Sequence, residues 1–453
     1  MTTSNQVSPP AAINPKASAH TRAQELVAWF RSQPRARLHE AVNVTADDDQ
    51  GIGLVAGRAI AANDIIVAVP SSVLMSTALP HGQLPAGLPE ALAKYCPDYA
   101  ANPSVILALV LLLAAFAVEN RLELANAATW KAYLAALPQD LASSPVFYAR
   151  DVLDRLRHLP AFQLALDVYD ALETAFYGPN KGAGILAALQ ATLPTTFLNH
   201  DPLHLFRKFE WAYAIVESRA FKPFPSQPDT VAMVPVGDLL NHTSLDGGAN
   251  VGYRWRAGVG RPGVLTGTLE LYATRAIPQG APLLMRYNAL SCSDELVFYG
   301  FCEQENPHDV FPVSLASVPR GMSDTVFESR VRALLTTGPV ENARLEHVLT
   351  PDAGNVGDLL VSFRVLQATD AELAAWSTPE GRPEAWDMSP LVQGFSAENN
   401  QRAMAAIQAW IRDDLLERVR RVPSDALPND ASRAYVAGLA RIVAVYAEAF
   451  GVE

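Results

Sequence analysis

Hydrophobic positions follow two different spacings along this chain. Residues 22–33 place Leu26, Val27, Trp29 and Phe30 on one face of a 3.6-residue period, which predicts a first amphipathic helix. After the acidic turn TADDDQ the spacing shortens. The stretch GIGLVAGRAIAANDIIVAVPSSVLMS, which starts at Gly51, predicts two strands, GLVAGRAI and IIVAVP, joined by the polar turn AANDI. A second stretch, LELYATRAIPQGAPLLMRYN, ends at Asn288 and repeats the arrangement, with LYATRAI and PLLMRYN flanking PQGA. The two stretches stand far apart, so a β-domain has to be assembled from separated pieces.

Between them, residues 77 to about 215 are rich in Ala and Leu and run at helical period in SVILALVLLLAAFAVENRLELA, WKAYLAALP and KFEWAYAIVESRAF. This predicts a helical insertion in the β-domain. After NPHD at 306–309 the helical period returns, in FESRVRALLTTG, GDLLVSFRVLQATDAELAAWS and NNQRAMAAIQAWIRDDLLERVRRV. The expected fold class is therefore α+β: a β-domain of short strands over 22–309, interrupted by helices, then an all-α C-terminal domain over 310–453. No fixed-period repeat is present.

Composition narrows the function. A chain of 453 residues with 49% hydrophobic and 18% charged residues reads as a soluble globular protein of two or three domains. A net charge of −12 without a basic block argues against a nucleic-acid partner. The three cysteines, Cys96, Cys292 and Cys302, are scattered and have no C-x-x-C spacing. That points to a reducing compartment, with neither a disulfide framework nor a structural zinc, so no metal is expected. The longest apolar run, residues 105–118, falls short of the roughly 20 residues a bilayer takes and reads as a buried helix with no membrane role. Residues 1–21 contain no acidic residue and no continuous apolar core, which reads as a disordered tail and not a secretory signal; an organellar transit peptide is the alternative.

Three places invite chemistry. In DLLNHTSLDGGAN, Asp238, Asn241 and His242 precede a glycine turn, either as a working site or as a strand end with a satisfied histidine. A zinc at His242 would want a third close ligand besides Asp238; Asp246 is available but no paired histidine is, so a hydrogen-bonded ring is the better local reading. The glycines of GIGLVAG suggest a dinucleotide loop, but that mechanism needs a strand before and a helix after, and here strand sequence follows. Tyr287 and Tyr299, twelve apart, read locally as core packing with hydroxyls at the rim. Cys292 has no neighbouring base in sequence to make it a nucleophile.

Taken in order, these pieces resemble the SET-domain protein methyltransferases, in the branch that contains Rubisco large-subunit lysine methyltransferase and actin-histidine methyltransferase. The family's opening G-x-G-and-strand motif looks like GIGLVAGRAIAANDIIVAVPSSVLMS. Its W-x-x-Y-L-x-x-L-P segment looks like WKAYLAALP at 130–138, and its SR-x-F like Ser218, Arg219 and Phe221. Its D-L-x-N-H is similar to DLLNH, and its closing Y…Y-G-F to Tyr287 through Tyr299, Gly300 and Phe301. The C-terminal helices, notably LLVSFRVLQATDAEL, are similar to that branch's substrate-binding domain. The resemblance covers the chain from about residue 22.

It implies S-adenosyl-L-methionine as cofactor and a lysine of a non-histone protein as methyl acceptor. Gln50, Gly51, Ile52 and Gly53 would then approach the cofactor, and Ser218, Arg219, Asp238, Asn241, His242 and Tyr287 would wall it, with Arg219 on its carboxylate. Tyr287 would be the central catalytic tyrosine, Tyr299 would stand at the channel wall, and Phe221, Tyr253 and Tyr299 would touch the substrate. The implied partner is a protein docked by the SET cleft and the C-terminal helices of a monomer; the compartments it allows are cytosol, nucleus and plastid. Three positions depart from the pattern. Against the family's Y-G-x-x-S-N-x-E, with Ser291 on the motif's Ser, Cys292 stands where Asn is usual and Asp294 where Glu is usual; Gln50 stands where an acidic residue is common. In the histidine-modifying relative an Asn lies two positions after the arginine of SR-x-F; here that position is Phe221, and an apolar residue suits a lysine channel. The alternatives are methylation of histidine and a catalytically silent SET-like binding module.

Overall fold

The computed structural model describes residues 18–47, 51–79, 84–120, 127–179, 182–193, 201–258, 265–317, 326, 345–376 and 393–452. The chain divides into two compact units, Met1–Ala142 with Asp167–Asn288, and Ser143–Leu166 with Ala289–Glu453. The hydrophobic spacing placed a join near 310 instead. Residues 143–166 group with the C-terminal part because Phe162 packs edge-on against Tyr435, with ring centroids 5.9 Å apart, and the Ala161 N–H donates to the Tyr435 hydroxyl at 3.0 Å.

The first unit opens with α1 (Ala19–Arg31), which starts earlier than the apolar period suggests because the Ser18 hydroxyl caps it by accepting from the Thr21 N–H. The short strands β1 (Arg37–Leu38), β2 (Val42–Asp47), β3 (Gly51–Ala56) and β4 (Ile65–Pro70) follow, and β4 is the expected IIVAVP. The helices of the insertion come next: α2 (Leu88–Tyr95), α3 (Pro103–Asn120), α4 (Ala127–Ala136), α5 (Arg150–Leu156), α6 (Pro160–Tyr177), α7 (Gly184–Thr192) and α8 (Pro202–Arg219), of which α5 and the start of α6 belong to the second unit. Strands then return as β5 (Asn241–His242), β6 (Val251–Ala257), β7 (Gly267–Ala273) and β8 (Leu284–Met285).

The main sheet has the order β1-β4-β7-β6 with antiparallel neighbours, so the strand before the insertion pairs directly with one after it. Alternation along β7 explains its facing: Leu269, Leu271 and Ala273 are buried, while Glu270 points outward to Arg254 and Arg256 at 2.8 and 3.0 Å. A separate antiparallel pair joins β2 to β3, and a parallel pair joins β5 to β8. The apolar run at 105–118 becomes α3, which is buried nearly all round and packs on α8. Among the described residues no helix is long and apolar enough to cross a membrane.

The second unit has α9 (Cys292–Asp294) running into a π-helical turn, Glu295–Tyr299, then β9 (Phe311–Ser314) and β10 (Glu346–Leu349) as an antiparallel pair. Helices α10 (Val356–Leu366), α11 (Asp370–Trp376), α12 (Ala397–Trp410), α13 (Leu416–Arg420) and α14 (Asp430–Ala449) complete it. The α+β class and the helical C-terminal region agree with the sequence pattern, to which the structure adds the pair β9–β10. Four residues of alternation in FPVS and EHVL were too few to stand out from the helical spacing around them. The helix expected over FESRVRALLTTG and residues 1–17 of the expected tail lie outside the described residues, as does Gln50; the end of that tail, residues 18–21, is instead the capped first turn of α1.

Candidate active site

The DLLNH segment is shaped by one strained residue. After α8 the chain leaves through Phe221, which bridges to Ala232, and Met233 bridges to Met75. Val236 then adopts φ 68°, a left-handed conformation that costs a non-glycine residue about 1–3 kcal/mol and is rare for a β-branched one. That kink turns the chain into a tight 3₁₀ turn, Gly237–Leu239, and drives the Asp238 side chain inward, where it is 1% exposed.

Asp238 gathers its neighbours. The Tyr133 hydroxyl donates to its Oδ2 at 2.7 Å. Arg219, the last residue of α8, donates through Nη1 to the Asp238 carbonyl at 3.0 Å and stands 3.5 Å from Oδ2. The other carboxylate oxygen, Oδ1, is buried and has no hydrogen-bond partner among the described residues. Burial pushes the Asp238 carboxyl up, with Arg219 and Tyr133 pulling in the opposite direction. Burial, and then the Asp238 charge, push the Tyr133 phenol well above its ordinary range. Tyr133 was not among the candidate residues. Its signal was present in WKAYLAALP, since within YLAALP its hydroxyl is the one polar side-chain group.

Asn241 and His242 form β5, in register with Leu284 and Met285. Beside Asn241 runs β3: a Cβ on Gly53 would lie 2.8 Å from Asn241 Nδ2, so only glycine lets the two approach this closely. Gly51, at φ +70°, faces open space, and Ile52 is half-buried against the core. The Tyr287 backbone N–H donates to His242 Nδ1 at 3.0 Å, and the two rings lie 5.0 Å apart. An Nδ1 that accepts requires the proton of the neutral ring to sit on Nε2. The Tyr287 hydroxyl donates to the Leu240 carbonyl at 2.5 Å.

The structure thus brings Gly53, Arg219, Asp238, Asn241, His242 and Tyr287 into one neighbourhood of the first unit, with Gly51 at the start of the strand that carries Gly53. The Ser218 hydroxyl donates back to the Ala214 carbonyl of its own helix at 2.8 Å. Phe221 is buried and meets the exposed Tyr253 edge-on at 5.5 Å. Tyr299 lies in the second unit, as the last residue of the π-helical turn and 6.0 Å from Phe301. Of the departures, Asp294 completes a capping box: the Ser291 hydroxyl accepts from the Asp294 N–H, and the Asp294 carboxylate accepts from the Ser291 N–H at 3.1 Å.

Chemically this is a place for a zwitterion. Both Arg219 contacts use Nη1, and a guanidinium has five N–H donors, so the remaining ones can fork onto a carboxylate. The buried Oδ1 of Asp238 can accept from an ammonium group.

No protein-family model matches the chain. It is 25% identical over 293 residues to the chloroplastic fructose-bisphosphate aldolase lysine N-methyltransferase of Arabidopsis thaliana, which spans 63% of this chain and 53% of the relative. It is 24% identical over 356 residues to the actin-histidine N-methyltransferase of Danio rerio, over 77% of this chain and 53% of the relative. The chain spans about half the length of the curated relatives it matches. Among solved structures, the SET domain of LSMT bound to methyllysine and AdoHcy superposes with a TM-score of 0.62, covering 95% of this chain and 91% of that one at 18% identity. The fold is that of this SET protein. The SET fold accounts for the two spacings read along the sequence: β4 and β7, on either side of the insertion, belong to one sheet. The relatives are those of the branch whose motifs the sequence resembles.

Proposed function

We propose that the protein is an S-adenosylmethionine-dependent methyltransferase that methylates a lysine side chain of a non-histone protein. The observation that carries this reading is the buried Asp238 with its unpartnered Oδ1 next to the Arg219 fork, a pair matched to an amino-acid moiety. Relatives named as lysine and histidine N-methyltransferases support methyl transfer.

When bound, the cofactor supplies a methyl group already activated on a sulfonium. Arg219 would hold its carboxylate, and Asp238 Oδ1 would accept from its ammonium. Gly51 and Gly53 keep side chains out of the way, and Asn241 and His242 form the adjoining wall. The acceptor amine poses the energetic problem. Releasing a proton from a lysine of pKa about 10.4 near neutral pH costs around 4 kcal/mol. An apolar channel lowers that cost, because desolvation disfavours the charged form. Buried Phe221, packed on Tyr253, supplies apolar surface of this kind and supports lysine over histidine. The Tyr287 hydroxyl donates to the Leu240 carbonyl, and a phenolic oxygen that donates can also accept. Accepting one amine N–H there would point the nitrogen lone pair at the methyl group and hold the in-line approach.

The proposed partner is a substrate protein that presents this lysine. The chloroplastic relative supports a plastid as the compartment where that substrate is met. Equilibrium dialysis of the full chain against labelled S-adenosylmethionine tests the cofactor assignment. One site per chain in the micromolar range, weakened at least tenfold by Arg219→Ala, is expected. Folded protein that retains no label would overturn it.

A further inference from the structure

The geometry points to a binding site for one thiophilic divalent cation of the zinc kind in the second unit, held by Cys292, Cys302 and Glu295 with the backbone carbonyl of Glu303. In sequence these cysteines look scattered, ten positions apart with no paired spacing. Folding removes that separation. Cys292 begins α9, and Glu295 lies one turn later on the same face. Gly300 ends the π-helical turn at φ 76°, in the left-handed region, and reverses the chain so that Cys302 returns beside them.

The two sulfurs and a Glu295 carboxylate oxygen all lie within 4.8 Å of one another. Both thiols converge on one acceptor, with Cys292 Sγ 3.4 Å and Cys302 Sγ 3.9 Å from the Glu303 carbonyl oxygen. Tetrahedral zinc, with bonds of about 2.3 Å to sulfur and about 2.1 Å to oxygen, sets neighbouring ligands about 3.6–3.8 Å apart. The ligand atoms, no more than 4.8 Å apart, would draw together by at most roughly 1 Å to seat the ion.

Its surroundings resemble those of a coordination site. Glu295 is fully buried; its Oε2 accepts from the Glu303 N–H at 2.8 Å and its Oε1 from Asn306 Nδ2 at 2.9 Å. Such outer bonds aim a ligating carboxylate, and each oxygen has a second lone pair for a metal. Asp309 Oδ1 accepts from the Cys292 N–H at 3.1 Å and anchors the first ligand's backbone. Two sulfurs among the four donors select a thiophilic ion over magnesium or calcium. Cys302 is half-buried, so one ligand of the cage is within reach of solvent. Binding would release the two thiol protons, and the Glu295 proton wherever that carboxyl is protonated, to solvent and form two metal–sulfur bonds and metal–oxygen bonds, with no change of oxidation state. The ion would pin the turn that carries Tyr299 to the loop that follows it.

The test uses the full chain, stripped with a chelator and kept reduced by a phosphine, and titrated with zinc alone against a chromophoric competitor. One equivalent bound is expected, with a rise in melting temperature. Cobalt(II) in its place should give the thiolate charge-transfer band of a sulfur-ligated tetrahedral ion. Cys302→Ser and Glu295→Gln should each weaken binding at least tenfold. Cys302→Ser, at a half-buried position, decides the matter even if Cys292→Ser does not fold. Wild type that retains no zinc, or zinc bound equally well by Cys302→Ser, would overturn the site. So would a Cys292–Cys302 disulfide that forms on omitting the phosphine in a protein that takes up no zinc when reduced.

Discussion

The backbone amide of Tyr287 donates to Nδ1 of His242 at 3.0 Å, joining two short parallel strands across 45 positions of sequence. The same tyrosine is tied at its other end, where its hydroxyl donates to the Leu240 carbonyl. A ring fixed at backbone and hydroxyl holds one orientation, which is what a group that positions an amine requires.

Tyr287→Phe keeps the ring and removes the hydroxyl. If the hydroxyl orients the amine, methyl transfer should fall roughly a hundred- to thousandfold, the usual cost of losing such a group. Cofactor affinity should stay near wild type, and unfolding should shift by about 1 kcal/mol for one lost hydrogen bond. Single-turnover rates measured beside thermal melts check this. A lost hydrogen bond with an unchanged rate would reduce Tyr287 to a structural role.

Asn241→Ala and His242→Ala should weaken S-adenosylmethionine binding more than they lower stability, because both residues stand on the wall formed by β5 beside β3. Dialysis and urea unfolding of the same preparations separate the two effects. A collapse of the fold, with normal affinity in the remaining folded fraction, would assign them to packing instead.

Gly53→Ala is a narrower probe of that wall. The added methyl would meet Asn241 Nδ2 at 2.8 Å, the far end of a side chain that can swing aside. Stability should change by less than about 1 kcal/mol, while cofactor affinity drops as the Asn241 amide is displaced. Equal affinity for the two proteins would remove β3 from the binding wall.

Asp238 predicts a pH dependence. Burial raises its carboxyl in the folded protein, so the native state holds this proton at a pH where the unfolded chain has released it. Its contribution is complete below the ordinary carboxylate pKa of about 3.9 and is lost as pH rises from there through the elevated folded-state value. Asp238→Asn should remove this component, flattening the fall in unfolding free energy by at most about 1.4 kcal/mol per pH unit. Urea unfolding over the acid range measures the slopes, and parallel slopes for the two proteins would contradict the burial argument.

Legibility in the sequence followed the strength of local pattern. IIVAVP and the apolar run of α3 were readable because enough consecutive residues share one period. The pair β9–β10 was not, since neither strand exceeds four residues. In the site, DLLNH stood out as a motif, but the kink at Val236 that turns Asp238 inward has no signature in an apolar residue type. Tyr133 reaches Asp238 across 105 positions, and Cys302 reaches Cys292 only through the reversal at Gly300, so tertiary structure alone reveals either contact.

The central claim is tested most directly by incubating the purified full chain with methyl-labelled S-adenosylmethionine and a protein extract, then hydrolysing the labelled protein to amino acids. Label in N-methyllysine is expected, at a rate that collapses with Tyr287→Phe. Label in N-methylhistidine would contradict the lysine assignment, and no transfer by protein that binds the cofactor would contradict the enzyme itself.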